Sequence, residues 1–335
     1  MTGAGPAPWI FVDWGSTNFR AFLWSEGHVA GRMEAAGHGI LTSWGEENQA
    51  ARAPAFGAFL GETLRDWLER YPGCPLLLCG AIGSREGWVQ TGYVEAPAGF
   101  AEVAKGARVV QELPAGPLTG HTVSIVAGLA QATPDGRHDV MRSEEVKALG
   151  AAAHLGHRDA VLCIPGTHCK WIRIEGGRIV ALQTVLTGDL FGALCGGHTL
   201  APLLGTAAQA GAATHDASFD RGLELARQGA DLLRDLWQVR AVVLHGTDAP
   251  ADLRAFLSGI LIGHEMRERR AVWPEAGRVL LVCDAGERRE FYRRAAAAFG
   301  LVVAETIDSE TAVCAGLARV AARLAAGGIE HGAAG

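Results

Sequence analysis

The stretch Trp9-Ile-Phe-Val-Asp-Trp-Gly-Ser-Thr-Asn-Phe-Arg-Ala-Phe-Leu-Trp24 is apolar, then small and polar, then apolar again. It reads as strand, tight turn, strand, and a third run near His28–Glu34 continues the meander. Its pattern returns later in the chain. Ala160–Ile164 is an apolar strand, Pro165-Gly-Thr-His-Cys-Lys170 a second small-residue turn, Lys170–Ile174 a strand, and Glu175-Gly-Gly-Arg178 a hairpin into Ile179–Leu186. The glycines of the two turns, Gly15 and Gly166, lie 151 positions apart. A doubly wound sheet of parallel strands alone would not open on hairpins. The repeat predicts two similar α/β domains facing each other across a cleft.

Strands and helices alternate beyond each meander. Phe56, Phe59, Leu60, Leu64, Trp67 and Leu68 recur at helical spacing, stopped by Pro72-Gly73, and Pro75–Cys79 follows as a buried strand. Residues 88–121 read as irregular, and Val123–Ala127 as a strand. Arg142–His154 is a helix joining the two halves. Helical patterns cover 218–238, the face Leu253, Phe256, Leu257, Ile260, Leu261 and His264, then Glu287–Phe299 and Glu310–Ala326, with strands at Val279–Cys283 and Leu301–Ala304. The domains are expected at 1–141 and 142–335, with connecting helices near 142–155 and 309–326.

Composition removes several classes of function. Of 335 residues, 49% are hydrophobic and 20% charged, which suits a packed core rather than a disordered chain. The formal charge is −6, with no basic block to bind nucleic acid. Seven cysteines, an odd number without C-x-x-C, argue for reduced thiols rather than a disulfide framework or zinc ribbon. No run is long and apolar enough for a membrane span, and Met1–Pro8 has no basic n-region of a secretory signal. A cytoplasmic protein is expected, and a homodimer is the base-rate assembly.

The chemistry is expected at the two turns. No P-loop, G-x-G-x-x-G, G-x-S-x-G or H-E-x-x-H occurs. In Asp13-Trp-Gly-Ser-Thr-Asn-Phe-Arg20, Gly15 lets backbone approach a ligand, Ser16 and Thr17 can donate to phosphate oxygens, and Asp13 can hold Mg²⁺ through water. A polar hairpin is the plain structural alternative. In the second turn Gly166 and Thr167 suit phosphate, and Lys170 can supply a point charge. Val140-Met-Arg-Ser-Glu-Glu-Val146 opens the joining helix, with Ser143 as an N-cap candidate. Glu144 or Glu145 can act there as general base, or simply favour the helix dipole. Gly80-Ala-Ile-Gly-Ser-Arg-Glu-Gly-Trp88 brings Ser84 and Arg85 to a strand end. Arg20, Ser84, Arg85 and Arg142 are the substrate-binding candidates. Gly286, just before a helix, can admit a nucleotide or be an ordinary strand-to-helix joint.

Val12-Asp-Trp-Gly-Ser-Thr-Asn-Phe-Arg-Ala-Phe22, Gly80-Ala-Ile-Gly-Ser84, Gly87-Trp88, Val140-Met-Arg-Ser-Glu-Glu145, Ile164-Pro-Gly-Thr-His-Cys-Lys-Trp171, Thr184-Val-Leu-Thr-Gly188 and Phe256-Leu-Ser-Gly-Ile-Leu-Ile-Gly263 together resemble the 2-dehydro-3-deoxygalactonokinase family. The resemblance spans nearly the whole chain. It implies two ribonuclease H-like domains of the actin-like ATPase type closing over ATP and a sugar acid. It implies ATP- and Mg²⁺-dependent phosphorylation of 2-dehydro-3-deoxy-D-galactonate at its 6-hydroxyl, in galactonate and galactose catabolism. By that likeness Asp13–Thr17 is the first phosphate motif, Gly166 and Thr167 the second, and Val282–Glu287 the adenosine end. The acid opening the first connecting helix serves as base, Glu144 ahead of Glu145, and Arg85 or Arg142 binds the substrate carboxylate. Two places depart from the family. Ser143 stands where M-R-G-E-E has glycine, and Cys283-Asp-Ala-Gly-Glu287 differs from a G-T-S type. Ser143 is expected to cap the helix with little effect.

Three other readings compete. One is a kinase of the same fold for another sugar acid, such as 2-dehydro-3-deoxygluconate. Another is a non-catalytic sugar-sensing protein, disfavoured because both turns and a base are present and no DNA-binding segment precedes Trp9. The third is a chaperone-like or actin-like ATPase, for which the chain lacks a client domain.

Overall fold

The computed structural model describes residues 8–41, 49–133, 135–197, 200–205, 215–229, 231–246, 250–274 and 277–327. In chain order it opens with β1 (Trp9–Trp14), β2 (Asn18–Ser25), β3 (His28–Ala36), α1 (Gln49–Thr63), α2 (Arg65–Arg70), β4 (Leu76–Cys79) and β5 (Tyr93–Glu95). Next come α3 (Phe100–Gly106), β6 (Arg108–Val109), β7 (Val123–Ile125), β8 (Gly128–Ala132), β9 (His138–Met141), α4 (Glu144–His154), β10 (Ala160–Ile164), β11 (Cys169–Glu175) and β12 (Arg178–Val185). The chain ends through α5 (Thr187–Gly196), α6 (Ala201–Leu204), α7 (His215–Gln228), α8 (Leu232–His245), α9 (Pro250–Val272), β13 (Arg278–Val282), α10 (Glu287–Ala298), β14 (Val302–Ile307) and α11 (Ser309–Ala326).

Two compact units divide the chain. The first takes Met1–Asp159, Arg173–Leu182 and Ser309–Gly335, the second Ala160–Ile172 and Gln183–Asp308. The first unit holds a sheet of order β3-β2-β1-β4-β7-β6. Strands β1, β2 and β3 pair antiparallel, while β1–β4 and β4–β7 are parallel. The other large sheet runs β12-β11-β10-β13-β14, with β10–β13 and β13–β14 parallel. Its first three strands are joined by connections too short for a crossover, so they too form an antiparallel meander. Both sheets thus share one order, an antiparallel 3-2-1 followed by two parallel strands, with β6 added antiparallel at the edge of the first. The repeated turn predicted two similar α/β units, and the family resemblance implied this ribonuclease H-like arrangement.

Alternation along the strands builds the first core. Ile10, Val12, Leu76, Leu78, Val123 and Ile125 are buried with Phe56 and Leu60 of α1 and with Leu64 between α1 and α2. Each such side chain contributes about 1.5–3 kcal/mol by leaving water. Helices α4 and α11 meet through small residues. A Cβ on Gly150 would overlap the Ala312 carbonyl, and one on Gly316 the Val146 carbonyl. In the second unit Leu253, Phe256, Leu257, Ile260 and Leu261 of α9 pack with Leu194, Leu204 and Val239.

Several expectations are corrected. The stretch 88–121 contains β5, α3 and β6, and β5 joins β8 and β9 in a separate three-stranded sheet. The helices expected around 218–238 are α7 and α8. Asp231 caps the second by accepting from Leu233 N–H and Arg234 N–H, so the chain restarts there. Helix α5 follows the second meander where no helix was expected. No helix among the described residues is long and apolar enough to cross a membrane.

Candidate functional site

The first turn is held from behind. Gly39 N–H donates to Thr17 O, Ile40 N–H to Gly15 O and Leu41 N–H to Ser16 O, at 3.1–3.2 Å. A Cβ on Gly39 would overlap the backbone of Ser16 and Thr17. Trp14 Nε1 also donates to His38 O at 2.8 Å. The turn's carbonyls are therefore turned into the protein, while Ser16 and Thr17 are exposed and Gly15 half-buried. Gly80, with φ of +101° at the end of β4, packs against the Trp14 backbone where a Cβ would overlap the carbonyl.

Asp13, at the end of β1, is buried and fully engaged. Its Oδ2 lies 2.9 Å from Lys147 Nζ, and its Oδ1 accepts from Ser143 Oγ at 2.9 Å. Burial alone raises the carboxyl, but the Lys147 ammonium and the Ser143 hydroxyl outweigh it and hold Asp13 below the ordinary carboxylate range. Lys147 is correspondingly pushed above an ordinary lysine, the Asp13 charge overcoming burial. Lys147 was not singled out from sequence. Its partner is far away along the chain, and among Glu144, Glu145 and Lys147 it reads as part of a solvated helix face.

Ser143 does not cap α4. Its side chain makes no capping bond, and its backbone sits at φ +90°, ψ −35°, in the left-handed region that glycine tolerates best. The hydroxyl is directed to Asp13 instead. The two acids that follow differ in environment. Glu144 is half-buried, and its Oε2 accepts from Arg142 N–H at 3.0 Å. Glu145 is buried, with Oε1 accepting from Ser143 N–H at 3.0 Å and Oε2 lacking a hydrogen-bond partner. Burial and the neighbouring Glu144 carboxylate push Glu145 up to about 8.

The substrate-side candidates are spread across the first unit. Arg142 donates from Nη1 to Thr91 Oγ1 at 2.6 Å and from Nη2 to Gly92 O at 2.9 Å, and its guanidinium lies 4.6 Å from the Tyr93 ring centre. It holds the 91–93 loop. Arg85 is exposed and pairs with neighbouring Glu86 at 3.4 Å. Ser84 closes the short 3₁₀ turn after β4, its N–H donating to Ala81 O at 2.9 Å. Arg20, opposite Asp13 in the β1–β2 ladder, is half-buried and lies 4.0 Å from Glu34.

In the second unit the turn between β10 and β11 leaves Thr167 exposed and Gly166 half-buried. The start of α5 lies directly behind it. Asp189 N–H donates to Thr167 O at 2.8 Å, and a Cβ on Gly188 would overlap Gly166 O. Lys170 is buried and donates to Thr184 Oγ1 at 2.7 Å, which binds it to the neighbouring strand β12. Gly286 stands at the N-terminus of α10 with φ +134°, in an exposed loop, and a Cβ there would meet nothing. Sequence reasoning missed Glu265, a buried carboxyl on α9 that accepts from Trp171, Thr187 and Tyr292. An acid directly after the apolar run Ile260-Leu-Ile-Gly-His264 was the available signal.

Two ribonuclease H-like sheets, each with a glycine-bearing turn after its first strand, define the class as an ATPase-like α/β protein. The model of the 2-keto-3-deoxy-galactonokinase family matches residues 13–320. A Rhizobium meliloti (strain 1021) protein assigned as a 2-dehydro-3-deoxygalactonokinase is 36% identical over 333 residues, covering 96% of this chain and 98% of that protein. The Escherichia coli (strain K12) 2-dehydro-3-deoxygalactonokinase is 32% identical over 316 residues, covering 94% and 98%. A crystal structure from Sinorhizobium meliloti assigned to the same activity has a TM-score of 0.79 at 34% identity, covering 96% of this chain and 99% of its own. The chain belongs to the 2-keto-3-deoxy-galactonokinase family, a family of sugar-acid kinases.

Proposed function

We propose that the protein transfers the terminal phosphoryl group of ATP to the 6-hydroxyl of 2-dehydro-3-deoxy-D-galactonate. Membership of the family supports the reaction and substrate. The observation that carries the reading in this molecule is the buried, ionised Asp13 behind an exposed Gly-Ser-Thr turn whose carbonyls are tied back into the protein. That turn offers its N–H and hydroxyl groups to phosphate oxygens. The Gly166-Thr167 turn offers the same chemistry in the second unit, and Gly286 at the head of α10 lets a nucleotide approach on the adenosine side.

The residues fit Mg²⁺ only in an outer role. Both Asp13 oxygens already have partners, and among the described residues no group of three or more His, Cys, Asp or Glu could hold a metal. Mg²⁺ commonly keeps several waters and binds mainly through substrate phosphates, so Asp13 would hold it through water. When bound, the ion neutralises charge on the phosphates. Glu144, the more accessible of the two acids, takes the proton from the attacking hydroxyl. Glu145, buried and raised to about 8, is protonated at neutral pH and stays behind it. Exposed Arg85 receives the substrate carboxylate, while Arg142 shapes the loop beside it. Ser84 and Arg20 complete the polar lining on the substrate side. Catalysis is then chiefly positioning and charge stabilisation.

The test is a coupled ADP-release assay with ATP, Mg²⁺ and either 2-dehydro-3-deoxy-D-galactonate or its gluconate epimer. A strong preference for the galactonate is expected. Equal or reversed preference would keep the kinase and change the substrate. No ADP from either would leave a binding protein of this fold.

A further inference from the structure

Where the Asp13–Lys147 pair supports the first turn, the second is braced differently. Its support converges on one buried residue, Glu265 of α9. Glu265 Oε1 accepts from Trp171 Nε1 at 2.7 Å, and Trp171 lies on β11, the strand leaving the turn. Glu265 Oε2 accepts from Thr187 Oγ1 at the first residue of α5, next to the Gly188 that packs on Gly166 O. The same oxygen accepts from Tyr292 OH of α10 at 2.9 Å. With the Tyr292 proton given to Glu265, the phenol oxygen accepts from Cys169 Sγ at 2.9 Å, and the same single S–H has Gly166 O at 3.4 Å as its other acceptor. Two of these routes lead to Gly166 O, through Gly188 beside Thr187 and through Cys169, and the third fixes β11 where it leaves the turn.

Packing does not require this. An apolar side chain at 265 would suit the α9 interior, and Glu265 is buried among groups that burial alone would disfavour. A carboxyl with three donors aimed at it fixes direction, which apolar contact does not. We infer that Glu265 is a positioning residue for nucleotide binding: through Thr187, and through Tyr292 and Cys169, it holds the Gly166-Thr167 turn in the conformation that grips ATP phosphates. The inference rests on the kinase reading above. Glu265 touches neither substrate in this scheme, so its effect falls on ATP affinity and leaves sugar-acid affinity alone.

The test uses the full-length protein and measures AMP-PNP binding with Mg²⁺ by calorimetry, beside KM for ATP and for the sugar acid and the melting temperature. Glu265→Gln is expected to weaken AMP-PNP binding about tenfold, the size of one lost hydrogen bond to a buried carboxylate, with KM for the sugar acid within about twofold of wild type. Thr187→Ser, which keeps the hydroxyl, is expected to bind nearly as wild type, and Thr187→Val to follow Glu265→Gln. This Ser/Val pair decides the matter if Glu265→Gln does not fold. Lowered melting temperatures with unchanged AMP-PNP binding would overturn the inference, leaving Glu265 a merely structural group and the kinase reading intact. Wild-type protein that binds no AMP-PNP would overturn both.

Discussion

The two turns sit on sheets of the same order, yet opposite electrostatics brace them. Behind the first is a buried ion pair, Asp13–Lys147, clamped further by Ser143. Behind the second is a buried carboxyl served by an indole, a hydroxyl and a phenol. A turn that must carry a charged side chain to its ligand needs that charge held ionised. A turn that offers backbone and a hydroxyl needs direction, which three donors converging on one carboxyl supply. The contrast predicts that the same kind of substitution will have different consequences in the two units.

The largest effect is expected in the first unit, on chemistry. Glu144→Gln should lower kcat by about 10²–10⁴, the usual contribution of a positioned general base, while ATP affinity stays close to wild type. Steady-state kinetics beside nucleotide binding checks it, and retained turnover would remove Glu144 from the role.

Next is stability. Lys147→Met leaves Asp13 buried without its cation, and breaking such a pair by removing one partner destabilises by about 3–5 kcal/mol. Glu265→Gln keeps the shape and part of the hydrogen bonding, so about 1–2 kcal/mol is expected. Urea unfolding of the two variants gives the comparison directly. Equal losses would mean that the two braces are not different in kind.

These braces also mark how far the sequence could be read. The meanders and their turns were legible because β-strands alternate and Gly-Ser-Thr and Gly-Gly interrupt them locally. The α9 face was legible because its apolar residues recur with the helical period. The β5-β8-β9 sheet was not. Its strands are three to five residues long, and although a local turn joins β8 to β9, β5 pairs with β8 in parallel across intervening structure, so no local turn announces that pairing. Asp13 was visible as a strand-end acid, but its partners on α4 come from about 130 residues away. Ser143 looked like a cap because Ser before Glu-Glu is the local signature. The backbone there takes a positive φ that does not cap, and the hydroxyl is directed across the fold to Asp13.

A pH series sharpens the comparison within the first unit, where neighbouring carboxyls are shifted in opposite directions. Asp13 is depressed, so its stabilisation is complete above the unfolded carboxylate value of about 3.9 and is lost as pH falls through the lower folded value. Glu145 is raised to about 8, so its contribution is complete below about 4.3 and is lost as pH rises toward 8. Stability should therefore decline from mildly acid to mildly alkaline pH, and Glu145→Gln should flatten that decline. An unchanged slope in denaturant midpoints between pH 5 and 8 would show that Glu145 ionises as an ordinary glutamate.

The smallest effect lies at Ser143, where two terms oppose one another. Its φ of +90° costs about 1–2 kcal/mol relative to glycine, and its hydroxyl contributes about 1 kcal/mol or somewhat more through the bond to the charged Asp13. Ser143→Gly relieves the first and loses the second, so its net change should stay within about 1 kcal/mol of wild type. Ser143→Ala loses the hydrogen bond and keeps the strain, so it should be the less stable variant by about 1–2 kcal/mol. The order of the two midpoints separates the terms. Glycine above alanine means that the backbone is held in a glycine-like conformation so that a hydroxyl reaches Asp13. Equal midpoints would mean that the loop relaxes once the hydroxyl is gone, and that Asp13 itself draws Ser143 into the left-handed region.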